Sequence, residues 1–255
     1  MWSRAPHCTR IKRCHAGTGH ANVPPDVSSN QGTNGQRLRS TRRSRDGRSR
    51  DEGARRAEIL AAAIDRFGRN GYENTKWAEI ADDVGIGPTA LYHYFDSKQH
   101  CLYVILDQAL AELHQRFDSI TTTYADPRDA LRAVCADCFE LSESEVLRNR
   151  VLVAEQVLLT GEGSSPREEQ ARLAGREKTR ALELAWTRFL ADAMRQGAIP
   201  DRDPRMLARA ILGLYNSIWH WYRPDQTLLL STIAEFFSAR MLAVAGVKTD
   251  AGSPA

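Results

Sequence analysis

The chain has 255 residues, 42% hydrophobic and 26% charged, a composition that supports a water-facing fold with enough core to need neither a disulfide nor a metal staple. It holds no apolar run long enough to cross a bilayer and no apolar stretch beside its N-terminal basic residues, so a membrane span and a secretory signal are not expected and the cytoplasm is the expected location. The formal net charge of +3 is unevenly spread: residues 1–50 carry 11 Lys/Arg against Asp26 and Asp46, a basic leader ahead of a mildly acidic body.

The leader mixes Gly, Ser, Asn, Pro and Arg without a hydrophobic period, so residues 1–50 are expected to be disordered. Its His7-Cys8 and Cys14-His15 pairs match no familiar zinc spacing, and no metal is expected. Five cysteines in a chain without an export signal argue for reduced thiols. From about Ala54 the pattern changes. Ile59, Leu60, Ala63, Ile64 and Phe67 recur at three- and four-residue spacing and Gly71 stops them, which predicts a first helix. Asn74 or Thr75 is placed to cap a second helix with Trp77, Ile80, Ala81 and Val84 on one side and charges on the other. Gly85 ends it. Pro88 then suits a first helical position, and Leu91 and Phe95 stand one turn apart on the inner face of a short third helix.

The remainder predicts an all-α body with helices near 98–122, 127–143, 145–160, 166–197, 203–222 and 227–245, broken where Gly and Pro cluster. Asp126, Ser165 and Asp203 precede prolines as N-caps. Cys135-Ala-Asp-Cys138 falls inside a helical pattern without the strand and loop of a redox motif, so both thiols are read as small buried hydrophobes. Four segments result: a leader at 1–50, a three-helix domain at 51–100, a helical domain at 101–246 and a disordered tail at 247–255.

The stretch Thr75 to Lys98 carries the chemistry. Ala81 is small where two helices approach closely, Gly85 allows the left-handed turn, and Ile86 tucks beneath both helices. With Leu91 and Phe95 inward, Pro88, Thr89, Tyr92 and His93 face outward, where a helix in a major groove presents side chains to base edges. Phosphate contacts are expected from the rim: Thr75, Lys76, Tyr94 and Lys98.

Residues Ile59 to Leu102 resemble the DNA-binding domain of the TetR family of bacterial regulators, through Ile80-Ala81, Gly85-Ile86, Leu91-Tyr92-His93-Tyr94-Phe95 and Ser97-Lys98. The resemblance implies a homodimer on double-stranded DNA, a repressor more often than an activator, an inducer pocket in the C-terminal domain and dimer contacts through the last two helices. Trp77, Gly87-Pro88 and Cys101 depart from the usual pattern, and Pro88 removes a backbone donor from the start of the recognition helix.

The last two predicted helices carry a surplus of large apolar residues, including Leu207, Ile211, Leu214, Ile218, Trp221, Leu228, Leu229, Ile233, Phe236, Phe237 and Met241. A four-helix interface between two copies would bury them. Cys138, Gln156, Trp186, Tyr215 and Trp219 combine bulk and polarity on apolar faces, the mixture that lines a small-molecule cavity. Trp219-His-Trp-Tyr-Arg-Pro224 is similar to the end of the penultimate helix in actinobacterial TetR regulators of fatty-acid and sterol breakdown, which implies an acyl-CoA or other lipid-derived inducer. No catalytic fingerprint such as a nucleophile elbow, a P-loop or a zincin motif is present, so an enzyme is not expected and no cofactor is assigned. The competing reading is a helical interaction module that has lost DNA binding.

Overall fold

The computed structural model describes residues 34–248, with side chains described from residue 50 onward, and shows no strand among them. The expected metal-free His/Cys pairs of the leader and the last residues of the tail lie outside the described residues. Helix α1 runs Asn34–Asn70 and therefore begins inside the segment expected to be irregular. The physical reason lies in its arginines, which are good helix formers despite the missing apolar period. Next come α2 (Trp77–Val84), α3 (Pro88–Tyr94), α4 (Lys98–Thr123), α5 (Pro127–Asp137) and α6 (Glu143–Glu155). A single 3-10 stretch, Gln156–Thr160, leads to α7 (Pro166–Arg195), α8 (Pro204–Trp221) and α9 (Leu230–Val244).

Local chemistry sets most boundaries. Asp126, Ser165 and Asp203 each accept a hydrogen bond at a helix start, from the backbone N–H groups of Arg128, Glu168, and Arg205 with Met206 respectively, and a proline occupies the first helical position after each cap. The cap of α2 is Lys76, not Asn74 or Thr75, and the Glu79 carboxylate accepts the Lys76 N–H at 3.2 Å. Helix α5 stops six residues before its expected end, because the apolar pattern continues through buried Phe139 while the backbone has already turned.

Residues from Ser49 onward form one compact unit. Its first core gathers Ile59, Phe67, Ile80, Leu91, Phe95 and Leu102 and continues into α6 through Val151 and Leu152. The second surrounds Leu131, Trp186, Leu190, Ile211, Ile218 and Trp219. Helices α4 and α7 pack along much of their lengths and form the spine common to both. At Gly68, near the end of α1, an added Cβ would stand 2.7 Å from the Leu147 Cβ, so glycine is what lets α1 and α6 approach.

Phe95 joins the small domain together. It is 0% exposed, meets Trp77 and His100 edge-on with ring centroids 6.4 and 5.7 Å away, and carries the Arg56 guanidinium 4.8 Å from its own centroid. Truncation at a site so enclosed leaves a cavity. Phe95→Ala is expected to lower unfolding free energy by about 3–5 kcal/mol in urea titrations, near the upper range for core aromatic truncations.

Candidate nucleic-acid interface and ligand cavity

The turn between α2 and α3 is built as the sequence requires. Gly85 takes φ 69°, and the Ile86 N–H donates to the Ala81 carbonyl at 3.0 Å, which closes the end of α2. Ala81 and Leu91 are 0% exposed, and that inward pair fixes which face of α3 looks out. Pro88, Thr89, Tyr92 and His93 are all exposed on that outer face, and Lys76 is exposed at the start of α2. Arg66 clamps α2 to α1 through a two-pronged bond to Asp83, both N–O distances 2.7 Å. The arginine holds the Asp83 carboxyl below its usual range.

Three expected rim residues are placed differently. Thr75 is buried; its hydroxyl donates to the Gly71 carbonyl at 2.9 Å and the Arg66 carbonyl at 3.3 Å, and its N–H to Tyr72. Lys98 Nζ donates to the Tyr72 and Thr75 carbonyls at 2.8 and 3.0 Å and lies 4.1 Å from the Tyr72 ring centroid. Both side chains therefore tie the α1–α2 corner together through its backbone carbonyls. Tyr94 is half-buried, and its carbonyl accepts from Arg167.

The end of α3 is seated on the start of α7. Asp96 accepts from the Ser165 hydroxyl at 2.6 Å and from Arg167 at 2.7 Å. Ser97 donates to Glu168 at 2.8 Å, and Glu168, 1% exposed, also accepts the Ser164 N–H. Farther along, α7 presents Thr179, Leu182, Glu183 and Trp186 to a cavity of about 300 Å³ enclosed chiefly with α4, α5 and α8. One helix thus touches both the candidate groove reader and the cavity. A second tie is Arg150, a buried arginine of α6 that donates to the Gly68 carbonyl on α1 at 2.9 Å and to the Trp219 and Tyr222 carbonyls at the end of α8.

Cys138, Gln156, Trp186 and Tyr215 line the cavity; Trp219 does not. Its ring stands behind Tyr215, 5.4 Å between centroids, 1% exposed and with an unpartnered indole N–H. It is a core residue because α8 turns that position away from the cavity. Asn149 donates to the Tyr215 hydroxyl at 2.9 Å and orients it. Burial pushes the Cys138 thiol up to about 12, so it faces the cavity as a neutral thiol. Sequence reasoning missed Arg116, Thr179, Glu183, Arg209 and Asn216, all of which line it. The spacing of Thr179, Glu183 and Trp186, four and three residues apart, was the available signal.

Residues 59–103 match the family model for bacterial regulatory proteins of the tetR family, and residues 124–245 match that for a tetracyclin repressor-like C-terminal domain. The chain is 26% identical over 191 residues to the HTH-type transcriptional repressor KstR2 of Mycobacterium tuberculosis (strain H37Rv), covering 74% of this chain and 92% of that protein. Against KstR2 of Rhodococcus jostii (strain RHA1) the identity is 27% over 192 residues, with 74% and 89% covered. Among solved structures it is similar to AibR in complex with isovaleryl coenzyme A and operator DNA, at TM-score 0.61 and 25% identity over 73% of this chain and 97% of that one. The ketosteroid transcriptional regulator KstR2 of M. tuberculosis aligns at TM-score 0.61 and 25% identity, covering 76% and 95%.

The α3–α4 corner also titrates. His100 Nδ1 accepts the Asp96 N–H at 3.0 Å, and burial, opposed by Asp96 and reinforced by Arg167 and Arg56, lowers the imidazole's proton affinity below its usual value. A lowered folded value means that protons bind the unfolded chain first, so this stability is complete above the ordinary histidine pKa of about 6.5 and is lost as pH falls below it. The melting temperature is expected to drop between about pH 7 and pH 5. In His100→Asn, whose carbonyl can accept the same N–H without titrating, that part of the drop should vanish in calorimetric scans.

Proposed function

The chain belongs to the TetR family of bacterial regulators, and from that premise we propose that it is a homodimeric DNA-binding repressor released by a small lipid-derived ligand. The observation that carries the reading is the exposed face of Pro88, Thr89, Tyr92 and His93 on a helix whose opposite side is locked by Leu91 and Phe95. A major groove reads such a face through base edges, with Lys76 beside it for phosphate. We place this repressor in the bacterial cytoplasm, where it meets its operator. No helix among the described residues is long and apolar enough to cross a membrane.

Dimerisation uses α8 and α9. Leu207, Ile211, Ile218, Ile233 and Met241 are consumed by the chain's own core, but Met206, Trp221, Leu229 and Phe236 remain between 43% and 65% exposed. A second copy covers this apolar surface by a two-fold axis, which also presents two recognition helices to successive major grooves about 34 Å apart.

Release works through α7. From Glu168 to Thr179 the helix rises roughly 16 Å at 1.5 Å per residue, so a ligand seated against Thr179 and Trp186 acts on the element that holds Asp96 and Ser97. Such a ligand favours a dimer with misplaced recognition helices only by binding that state better. Its apolar cavity suits an acyl group, and AibR, whose structure holds isovaleryl coenzyme A and operator DNA, supports an acyl-CoA here.

Gel shift across a salt series, using DNA from the region upstream of the protein's own gene, tests this reading. Wild type should bind, and Tyr92→Ala/His93→Ala should lose specific affinity by about tenfold or more, since each good base contact is worth about 1–3 kcal/mol. If wild type fails to bind at low salt, the helical interaction module takes its place. In sedimentation experiments, Phe236→Glu is expected to shift the chain from dimer toward monomer and to weaken operator binding with it.

A further inference from the structure

Polar residues line the cavity where α7 and α8 face each other. Thr179 and Glu183 stand on one helix, Arg209, Gly213 and Asn216 on the other, each set spaced by three or four residues so that it forms one stripe. Arg209 Nε donates to Glu183 between the two helices at 2.7 Å, and their side chains are 60% and 34% exposed. The other arginine of the cavity, Arg116, is already engaged by Asp137, Glu145 and the Asp137 carbonyl. Arg209 thus combines a solvent-facing guanidinium with five N–H donors and a bridge to one carboxylate.

Gly213 adds an independent observation. Glycine in a helix interior is unfavourable relative to alanine, and here no fold contact demands it, because an added Cβ would find nothing within 4 Å. The single chain gives no steric reason for the missing side chain. Gly213 lines the cavity, where the bare backbone leaves room that a side chain would take.

The cavity volume of about 300 Å³ is at the small end of the range for small-molecule sites. That space takes an apolar body of about eight carbons without a solvated charged group. A ligand with an anionic head must leave the head among these polar residues. We propose that the ligand is an elongated amphipathic anion, its apolar body inside and its head at Arg209 beside Gly213, where Arg209 exchanges the Glu183 carboxylate for the ligand's anionic head. The proposal rests on the reading of this cavity as the ligand site and assigns Glu183 the part of an internal competitor that occupies Arg209 when no ligand is bound.

Calorimetric titration of the full chain with octanoate, octanoyl-CoA and neutral 1-octanol tests it. Wild type is expected to bind at least one of the two anions; Arg209→Ala should weaken that binding by about tenfold or more, the scale of a lost charge-assisted bond, and leave octanol unchanged. Glu183→Gln should tighten anion binding several-fold, a gain that mere loss of a structural ion pair would not give. Gly213→Leu should weaken octanoyl-CoA more than octanol. Preference between octanoate and octanoyl-CoA identifies the head as a carboxylate or as the coenzyme's phosphates. Absence of anion binding to wild type, or equal affinities in wild type and Arg209→Ala, overturns the proposal. Operator retention by each variant verifies its fold: DNA binding without anion binding defeats this proposal alone, whereas Arg209-dependent anion binding without DNA binding defeats the repressor reading alone.

Discussion

A buried carboxylate holds this molecule's working parts in one frame. Glu168, 1% exposed at the first turn of α7, accepts from the Ser97 hydroxyl and the Ser164 N–H, and a charge so enclosed is tolerable only while those donors stay in place. Next to it Arg172, also buried, donates to the Leu159 carbonyl at 2.6 Å and grips Glu169, whose carboxyl is held down to about 2. The start of α7 is therefore a polar knot inside apolar packing. The α3–α4 corner, the 3-10 stretch and α7 cannot shift independently without stranding one of these groups.

That constraint makes α7 the common member of reading head and cavity. At one end it seats Asp96 and Ser97 just past the recognition helix; beyond the middle it supplies Glu183 and Trp186 to the cavity wall. Packed interiors respond to inserted volume by moving rigid elements rather than by deforming continuously. In the proposed repressor, a ligand that favours a shifted α7 would move it as a unit, and α7 seats the residues just past α3.

Much of this was legible in the sequence where the cause is local. The caps at Asp126, Ser165 and Asp203 depend on a side chain and a proline one residue later, and the inward pair Leu91 and Phe95 on helical spacing alone. Four of the five residues expected at a cavity line one, while Trp219, with the same bulk and polarity, belongs to the core. Illegible were the directions of polar side chains whose partners are distant in sequence. Lys98 reads as a phosphate contact, and its spacing gives no sign that its ammonium donates to the carbonyls of Tyr72 and Thr75. Arg150 follows Arg148 and Asn149 in α6 and gives no periodic hint that three carbonyls from α1 and the end of α8 await it.

The same arginine bears on how the chain can change over time. Its planar fork spreads donors over separate nitrogens and reaches acceptors on separate helices simultaneously, a span that a lysine's single ammonium does not match. The basic exchange that most surface positions absorb without consequence is thereby closed at position 150. Replacing that guanidinium leaves carbonyls on α1 and at the end of α8 without their shared donor, and so loosens the joint between the first domain and the body.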